Sequence, residues 1–338
     1  MALGQNIYEG SGRLLFEKHM LLSEEHISNL EFMGFPGVYV DDEFTQGVEI
    51  QQVLTPEVRG QALKVVHEFF CLNCQLSEPS ALEIKLEKTI EHVLEDVLSN
   101  GDVMLNVLDI KNYNDYIYYH SVNVAMLSAV IGVHCGLEHN DLKELVAAAL
   151  LHDIGKKVYE QQNAGLSAEQ KERDRVDWEK HPKMGADFLK KHFDFPAIVV
   201  AGVLHHHEAY NGTGYPEKMA GEEIPLYARI IHIADSYDVL TTKRPQRGAL
   251  SPSDALEYLM ARVGQEFDPN LLDVFIGKIA LYPVGCEVRL SNGMHGVVTR
   301  NFERFPLRPM VKVIETGKLL NLCDDPANLN ITIVQLLI

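Results

Sequence analysis

Histidines and carboxylates cluster in one part of this sequence, at the ends of segments that otherwise have the pattern of apolar helices. Residues 205–216, HHHEAYNGTGYP, place three histidines and a glutamate directly before a Gly-rich run that ends in Pro. Adjacent histidines are typical of metal sites, and glycines followed by Pro are typical of a loop held in one shape. A metal site needs more ligands than this stretch offers, so other parts of the chain must supply them.

Other ligand-type residues interrupt the helical pattern between residues 105 and 282. A single histidine on an apolar helix face is more often a core residue whose hydrogen bonds are satisfied. Several such positions in one segment, most of them beside an acidic residue, Gly or Pro, favour a metal site instead. The candidate ligands are His120, His152, Asp153, His181, His206, His207 and Asp235.

The types of these residues suit two metal ions. Neutral imidazoles and carboxylates bind Fe, Mn, Co or Zn, whereas the lack of Cys ligands argues against a closed structural zinc site. On a helix, His152 and Asp153 would point about 100° apart, so one could hold a first metal while the other bridges to a second. His206 and His207 could approach one metal only at a helix end. Two metals about 3.5–4 Å apart can hold a bridging hydroxide for an in-line phosphoryl displacement.

The order H…HD…H…HH…D, with Lys156 three residues after the HD pair, resembles the HD metal-dependent phosphohydrolase superfamily. The extension from His206 to Pro216, HHEAYNGTGYP, resembles the HD-GYP family of cyclic di-GMP phosphodiesterases. The resemblance covers roughly residues 105–282, where HDIGK, HP, HHE, NGTGYP and ADSYDVLTTKRPQR occur in family order. It implies that the chain hydrolyses cyclic di-GMP to pGpG, GMP or both, through a hydroxide that bridges two divalent metal ions, Fe or Mn.

The same resemblance implies a role for each candidate. Asp153 would bridge the metals, and Lys156 would face the scissile phosphate, although a lysine there could also be an exposed residue near a helix end. The first metal would be held by His120, His152, Asp153 and Asp235, and the second by His181, His206 and His207 with Asp153.

Substrate contacts are expected from a basic run and from the GYP loop. Arg244 and Arg247 match family positions that contact the non-scissile part of the dinucleotide, although a solvated helix end would also explain them. Tyr215 could stack on a base, contact a GGDEF-type cyclase, or pack into the protein as part of a structural turn. The substrate-binding candidates are Lys156, Gly214, Tyr215, Pro216, Arg244 and Arg247.

Tyr116 decides the expected number of metals. Some family members carry a Glu one helical turn before the first His, where it binds a third metal, and this chain has Tyr116 at that place. A neutral phenol is a poor substitute, so a dinuclear site is predicted. His205 is expected on the helix surface or behind the ligands, and His232 in the core or behind the ligands.

The fold is predicted to be mainly α, an all-helical HD-type bundle with a small N-terminal α+β module and a small C-terminal β subdomain. Gly155 is expected to end the helix that closes on His152, and Asn292-Gly293 to turn a hairpin. The predicted divisions are 1–55 (regulatory module), 56–104 (helical linker), 105–282 (catalytic domain) and 283–338 (β subdomain). Within the catalytic segment, helices are predicted over 115–135, 141–152, 182–192, 196–207, 225–242, 253–263 and 269–280.

The spacing of Leu86, Ile90, Val93, Val97 and Met104 has two explanations, a helix packed on its own chain or a seam between two copies in a homodimer. The lone CxxC of Cys71 and Cys74 favours ordinary helix residues, because a zinc site would need two further ligands.

The overall charge and hydropathy limit the partners. The 338 residues carry a net charge of −18, which disfavours binding to nucleic acid polymers or acidic lipid. No signal-peptide pattern and no run of about 18 apolar residues is recognised, so a cytoplasmic location without a membrane is expected.

Two alternative functions remain open from the sequence. Diiron oxygenases share the histidine–aspartate arrangement, although the GYP extension and the arginine pair argue against that chemistry. A non-catalytic receptor for a cyclic dinucleotide or a cyclase is the other alternative, and the complete ligand set argues against it.

Overall fold

The structure is a computed structural model that describes residues 1–33, 35, 37–41, 52–71, 79–100, 115–162, 178–242 and 248–337. It is mainly α, with a small C-terminal sheet, as predicted. The helices in chain order are α1 (Glu24–Met33), α2 (Pro56–Phe70), α3 (Pro79–Asn100), α4 (Tyr116–His134), α5 (His139–Leu151), α6 (Ile154–Gln162), α7 (His181–His192), α8 (Ala197–His205), α9 (Leu226–Thr241), α10 (Pro252–Met260) and α11 (Pro269–Ile276).

Helix α4 is the central element of the bundle. It packs against α5, α9 and α2, and its buried residues run from Tyr118 to Gly132 without interruption. By length and composition alone, α4 is long and apolar enough to cross a membrane. Of its most apolar window, 83% is buried inside the protein. A helix that is apolar on all sides and covered by its neighbours is typical of the core of a protein.

Helices α2 and α3 share the core of the bundle. Leu86, Ile90, Val93 and Val97 are each at most 4% exposed and belong to the same buried cluster as α4 and α5. This proposed seam therefore packs on its own chain, and the dimer-seam explanation is wrong for these four residues. Met104 lies outside the described residues.

Side chains cap several helices where the sequence places a polar residue before Pro. Thr55 Oγ1 accepts a hydrogen bond from Val58 N at the start of α2, and Ser251 Oγ accepts one from Asp254 N at the start of α10. Asp268 Oδ1 does the same for Asn270 N at the start of α11. Pro follows each cap and needs no hydrogen bond there, so these starts are fixed locally.

Two small β elements flank the bundle. Near the N-terminus, β1 pairs with β4 and β2 with β3, both antiparallel, and at the C-terminus five antiparallel strands pair in the order β8-β7-β6-β5-β9. Gly293 adopts φ 86° in the predicted turn between β5 and β6. The strands are β1 (Ala2–Leu3), β2 (Ile7–Tyr8), β3 (Leu14–Phe16), β4 (Val40–Asp41), β5 (Glu287–Leu290), β6 (His295–Arg300), β7 (Met310–Val313), β8 (Leu319–Asn321) and β9 (Ile333–Leu337).

The prediction for Gly155 is wrong. Helix α5 ends at Leu151, and Gly155 lies in the first turn of a new helix, α6, which the sequence pattern did not indicate. The physical reason is close packing, because a Cβ on Gly155 would lie 1.9 Å from the carbonyl oxygen of His181 at the start of α7. Glycine here allows two helices to touch instead of ending one.

The CxxC pair is described only in part. Cys71 follows the last residue of α2, is exposed, and has its Sγ 3.4 Å from Nε2 of His67. Cys74 lies outside the described residues.

Candidate metal centre

The structure brings the seven candidate ligands together in two adjacent groups. In the part of the chain that it describes, histidine, cysteine and acidic side chains converge in threes or fours at two places, with ligand atoms within 4.8 Å of one another. These groups are His120, His152 and Asp235, and Asp153, His181, His206 and His207.

The ends of helices position most of these side chains. His152 and Asp153 lie at the junction between α5 and α6, and His181 is the first residue of α7. His206 and His207 follow the last residue of α8. His152, the residue after α5, keeps helical backbone angles (φ −53°, ψ −38°), which fits the expected step of about 100° between it and Asp153.

The carboxylate of Asp153 lies between the two groups. Its Oδ2 is 3.6 Å from Nε2 of His120 and 3.5 Å from Nε2 of His152, whereas its Oδ1 is 3.3 Å from Nε2 of His181. In the first group, Nε2 of His120 lies 3.0 Å from Oδ1 of Asp235. Each oxygen of Asp153 thus faces a different group, which is the arrangement that a bridging ligand requires.

Backbone carbonyls fix the orientation of three imidazole rings. The Nδ1–H groups of His152, His181 and His206 donate to carbonyl oxygens of Ala149, Trp178 and Val203, at 2.7, 2.5 and 2.7 Å. Since Nδ1 carries the proton, the lone pair is on Nε2, which in each ring points into the cluster. Ligating histidines in metalloproteins commonly have a partner of this kind on the other nitrogen.

His120 has a carboxylate in the corresponding position. Asp238 is fully buried, and its Oδ2 accepts from Nδ1–H of His120 at 2.7 Å. Asp238 was not among the predicted site residues, although it lies three residues after Asp235 and therefore on nearly the same face of α9. Tyr116 stacks on the His120 ring and has its hydroxyl 3.2 Å from Nδ1, so it contacts this ligand from the side.

The protonation states of the site suit cation binding. Burial lowers the pKa of His152, and burial with the charge of neighbouring histidines lowers the pKa values of His206 and His207 well below the usual range. For Asp153, burial raises the pKa, but Lys156 and the nearby histidines outweigh it and hold the pKa well below its ordinary value. Neutral imidazoles and ionised carboxylates are the states that bind divalent metals.

His120 differs from the other histidines. Burial lowers its pKa, but hydrogen bonds to Asp235 and Asp238 and the charges of both carboxylates outweigh burial and raise it. A proton on Nε2 would lie opposite Oδ1 of Asp235, which is 3.0 Å away. A cation held by Asp235 and Asp153 would replace that proton.

A pair of divalent cations fits this donor set. Oδ1 of Asp153 is buried and has no hydrogen-bond partner, an arrangement that is costly for a charged oxygen. The converging donors are imidazole nitrogens and carboxylate oxygens without thiolates, a set suited to Fe, Mn, Co or Zn in an open site. A metal would supply the partner that the orphaned oxygen lacks.

Lys156 and the NGTGYP loop lie beside the cluster. Lys156 Nζ forms an ion pair with Asp153 Oδ2 and lies 5.9 Å from the centre of the Trp178 ring. The Tyr215 ring lies 4.9 Å from the ring of His207. Burial, with the charges of Asp235 and Asp153, raises the pKa of Tyr215, so its phenol stays neutral.

Backbone contacts hold the loop against the end of α8. Tyr215 N donates to the carbonyl oxygen of His207 at 3.1 Å, and the Tyr215–Pro216 bond is cis. A Cβ on Gly214 would lie 2.2 Å from Ala209 N, so a larger residue does not fit there. Glu208, for which no role was predicted, is buried, and its carboxylate accepts a hydrogen bond from Glu217 N at 2.7 Å at the end of the loop.

The remaining candidate residues lie outside the two ligand groups or outside the residues that the structure describes. His205 is buried beside Glu208, so the surface alternative for it is wrong. His232 lies behind the ligands, where its Nδ1–H donates to the carbonyl oxygen of His206 at 2.9 Å. Arg244 and Arg247 lie outside the described residues.

Several known proteins are similar to this chain over part of its length. A relative from Pseudomonas aeruginosa, cyclic di-GMP phosphodiesterase PA4108, is 34% identical over 68% of this chain and 55% of its own length. The response regulator RpfG of Xanthomonas campestris, also named a cyclic di-GMP phosphodiesterase, is 32% identical over 51% of this chain and 46% of its own. A 3'3'-cGAMP-specific phosphodiesterase of Vibrio cholerae is 29% identical over 56% of this chain and 43% of its own. The chain thus spans about half the length of these relatives.

A solved structure and a family model address the fold. The structure of Bd1817, described as an HDG"Y"P protein from Bdellovibrio bacteriovorus, matches 81% of this chain and 94% of its own with a TM-score of 0.51 at 19% identity. At that identity the likeness concerns the fold alone. The HD domain model matches residues 93–271, which include all seven candidate ligands and more than half of the chain. The chain belongs to the HD domain family.

Proposed function

We propose that this chain is a metal-dependent phosphodiesterase that hydrolyses cyclic di-GMP to pGpG, with further cleavage to GMP. The observation that carries this proposal is the carboxylate of Asp153, whose two oxygens face two separate groups of histidines. When bound there, two divalent ions would activate water and stabilise negative charge on the phosphoryl oxygens.

The protein's own residues would hold the metal ligands and the substrate phosphate in place. The carbonyl partners of His152, His181 and His206 hold three rings in place before any substrate arrives. Lys156, which is 23% exposed beside Asp153, can reach a phosphate at the mouth of the site. There it would offset charge on the phosphate or give a proton to the leaving oxygen.

The proposed substrate is an anion with two flat guanine rings. With a net charge of −18 the protein as a whole repels anions, so the positive charge that attracts a dinucleotide has to be local. Lys156 is one such group, and Arg244 and Arg247 are proposed to contact the non-scissile half. Tyr215, beside His207, would stack on a guanine.

The proposal also names which cyclic dinucleotide is the substrate. The relatives named above include enzymes for cyclic di-GMP and for 3'3'-cGAMP. We favour cyclic di-GMP, because the relative that shares the largest part of this chain among those three carries that name. The same proposal includes Fe or Mn as the metal and contact of the GYP loop with a GGDEF-type cyclase. It also includes pairing of two copies of the chain and action in the cytoplasm.

A panel of substrates tests the function. The full chain, loaded separately with Mn²⁺ and with Fe²⁺, is incubated without dioxygen with cyclic di-GMP, 3'3'-cGAMP and cyclic di-AMP, and metal content is measured in the same samples. We expect linear dinucleotide from cyclic di-GMP first, at about two metals per chain. No turnover of any member by a sample holding two metals would reject the phosphodiesterase, and turnover of a polyol that requires dioxygen would favour the oxygenase. Binding without turnover would favour the receptor.

A further inference from the structure

A chain of hydrogen bonds connects the ligand His120 to a helix outside the part of the chain that the HD domain model matches. Asp238 Oδ2 accepts from His120 Nδ1–H at 2.7 Å, and Asp238 Oδ1 accepts from Asn123 Nδ2 at 3.0 Å. Asn123 Oδ1 in turn accepts from Arg59 Nη1 at 2.9 Å. Arg59 is in α2, which ends at Phe70, whereas the match begins at residue 93.

The chemistry of the groups determines the direction of every bond. A guanidinium can only donate, so the atom of Asn123 that faces Arg59 must be its oxygen. The amide NH₂ of Asn123 then faces Asp238, where an ionised carboxylate can only accept. Asp238 Oδ2 accepts from Nδ1–H of His120, and this leaves Nε2 of His120, 3.0 Å from Asp235 Oδ1, as the nitrogen that would bind a metal.

Because these side chains are buried, the order of donors and acceptors along the hydrogen-bond chain matters for the position of His120. His120, Asn123 and Asp238 are each at most 1% exposed, so water does not replace a lost partner. If Arg59 were absent, the Asn123 amide could rotate and present its oxygen to the carboxylate of Asp238, an unfavourable contact. The carboxylate would then lose a donor, and the His120 ring would lose part of its support.

Residues of the N-terminal segment lie around Arg59. The side chain lines a cavity of about 40 Å³ together with Tyr8, Gln52 and Tyr119. Next to His120, the hydroxyl of Tyr119 donates to the carbonyl oxygen of Tyr8. Residues that precede the HD domain match thus surround the arginine that begins the hydrogen-bond chain.

We propose that Arg59 is a positioning residue for the metal site of His120, His152 and Asp235, and that it acts through Asn123 and Asp238. The inference rests on the proposed metal centre but not on the proposed substrate. Outer partners of metal ligands typically change metal affinity roughly 10–100-fold, and Arg59 is two residues farther from the ligand than such a partner, so we expect a loss of about 3–10-fold at this site alone.

Calorimetric titration of the metal-free full chain with Mn²⁺ measures this directly. The wild-type protein should show two binding steps, and the step that survives in His181→Asn is assigned to the His120 site. Arg59→Met should weaken that step and leave the other within about twofold, and Arg59→Lys, which keeps a donor, should restore part of the affinity. In an Asn123→Ala background, Arg59→Met should have no further effect on this step.

Gln61→Ala is the matched control. Gln61 is on the same helix and accepts from His92 Nδ1–H at 2.8 Å, but it does not contact Asn123. The inference is overturned if Arg59→Met binds Mn²⁺ like Gln61→Ala, or if it weakens both steps equally together with a fall in Tm. If the wild-type chain shows no two-step binding, the proposed metal centre fails instead, so the two failures are distinguishable.

Discussion

Gly155 and His181 are in direct backbone contact where α6 crosses the start of α7. A Cβ at position 155 would lie 1.9 Å from the carbonyl oxygen of His181 and 2.7 Å from Gly185 N. Both helices begin with residues next to the metal cluster, because Asp153 precedes α6 and His181 opens α7. The separation of these two ligands therefore depends on the absence of a side chain at position 155.

Gly155→Ala is predicted to destabilise the protein and to move His181 away from Asp153. Overpacking of this kind costs about 1–3 kcal/mol, measured as the free energy of unfolding of metal-free protein in urea. Gly277→Ala is the control, since its nearest neighbour would be an ordinary 3.5 Å from the new Cβ. A change for Gly155→Ala no larger than that of the control would contradict the packing argument.

Lys156→Gln is predicted to lower turnover on the order of 10²-fold while two metals remain bound, because the lysine would act on the phosphate and is not a ligand. Lys157→Gln is the matched control, since Lys157 follows on the same helix and pairs with Glu160 at 2.8 Å. Equal turnover in the two variants would remove Lys156 from the proposed reaction.

Tyr215→Ala is predicted to raise KM for cyclic di-GMP roughly 10-fold with a smaller change in kcat, because stacking of a base on an aromatic ring contributes about 1–3 kcal/mol. Tyr215→Phe keeps the ring and should behave like the wild-type protein. If KM is unchanged in Tyr215→Ala, the ring packs only against His207 and does not contact the substrate.

Metal-free protein is predicted to lose stability as the pH falls below about 6.5, the ordinary pKa of histidine. The lowered pKa values of His152, His206 and His207 mean that the unfolded chain takes up protons first. The raised pKa of His120 works in the opposite sense, because its contribution is present below pH 6.5 and is lost as the pH rises through its folded value. Burial also lowers the pKa of His232, so four histidines lose stability on acidification and one gains it, and the expected net change is a loss.

Urea unfolding in the presence of a chelator, at about pH 7.5 and about pH 5.5, measures this effect. His206→Asn removes one of the histidines with a lowered pKa and should make the loss of stability on acidification smaller. A free energy of unfolding that stays constant or rises toward pH 5.5 would show that these histidines are not held neutral in the folded protein.

The ligands were the part of the site most accessible to the sequence. Adjacent pairs such as His152-Asp153 and His206-His207 mark helix ends, and the structure places both pairs at such ends. Helix α4 was predicted at 115–135 and found at Tyr116–His134, because its apolar run is long and continuous. The assignment of each ligand to a metal remains a prediction, as do the domain divisions.

Contacts between residues that are far apart in the sequence could not be predicted from the spacing of residue types. Asp238 and Asn123 could have been suspected, since each lies three residues after a candidate ligand on a helix. Arg59 could not, because it meets Asn123 across 64 positions of the chain. The prediction that Gly155 ends a helix was wrong for a related reason. A glycine that ends a helix and a glycine that lets two helices touch cannot be distinguished in the sequence alone.

Turnover of cyclic di-GMP by Asp153→Asn, with metal content measured in the same sample, tests the central claim most directly. The substitution keeps the size of the side chain but removes the charge shared between the two groups. We predict fewer than two metals per chain and a loss of turnover of at least about 100-fold, since even outer partners of metal ligands account for 10–100-fold. Wild-type turnover by Asp153→Asn, with two metals retained, would contradict a centre joined by this carboxylate.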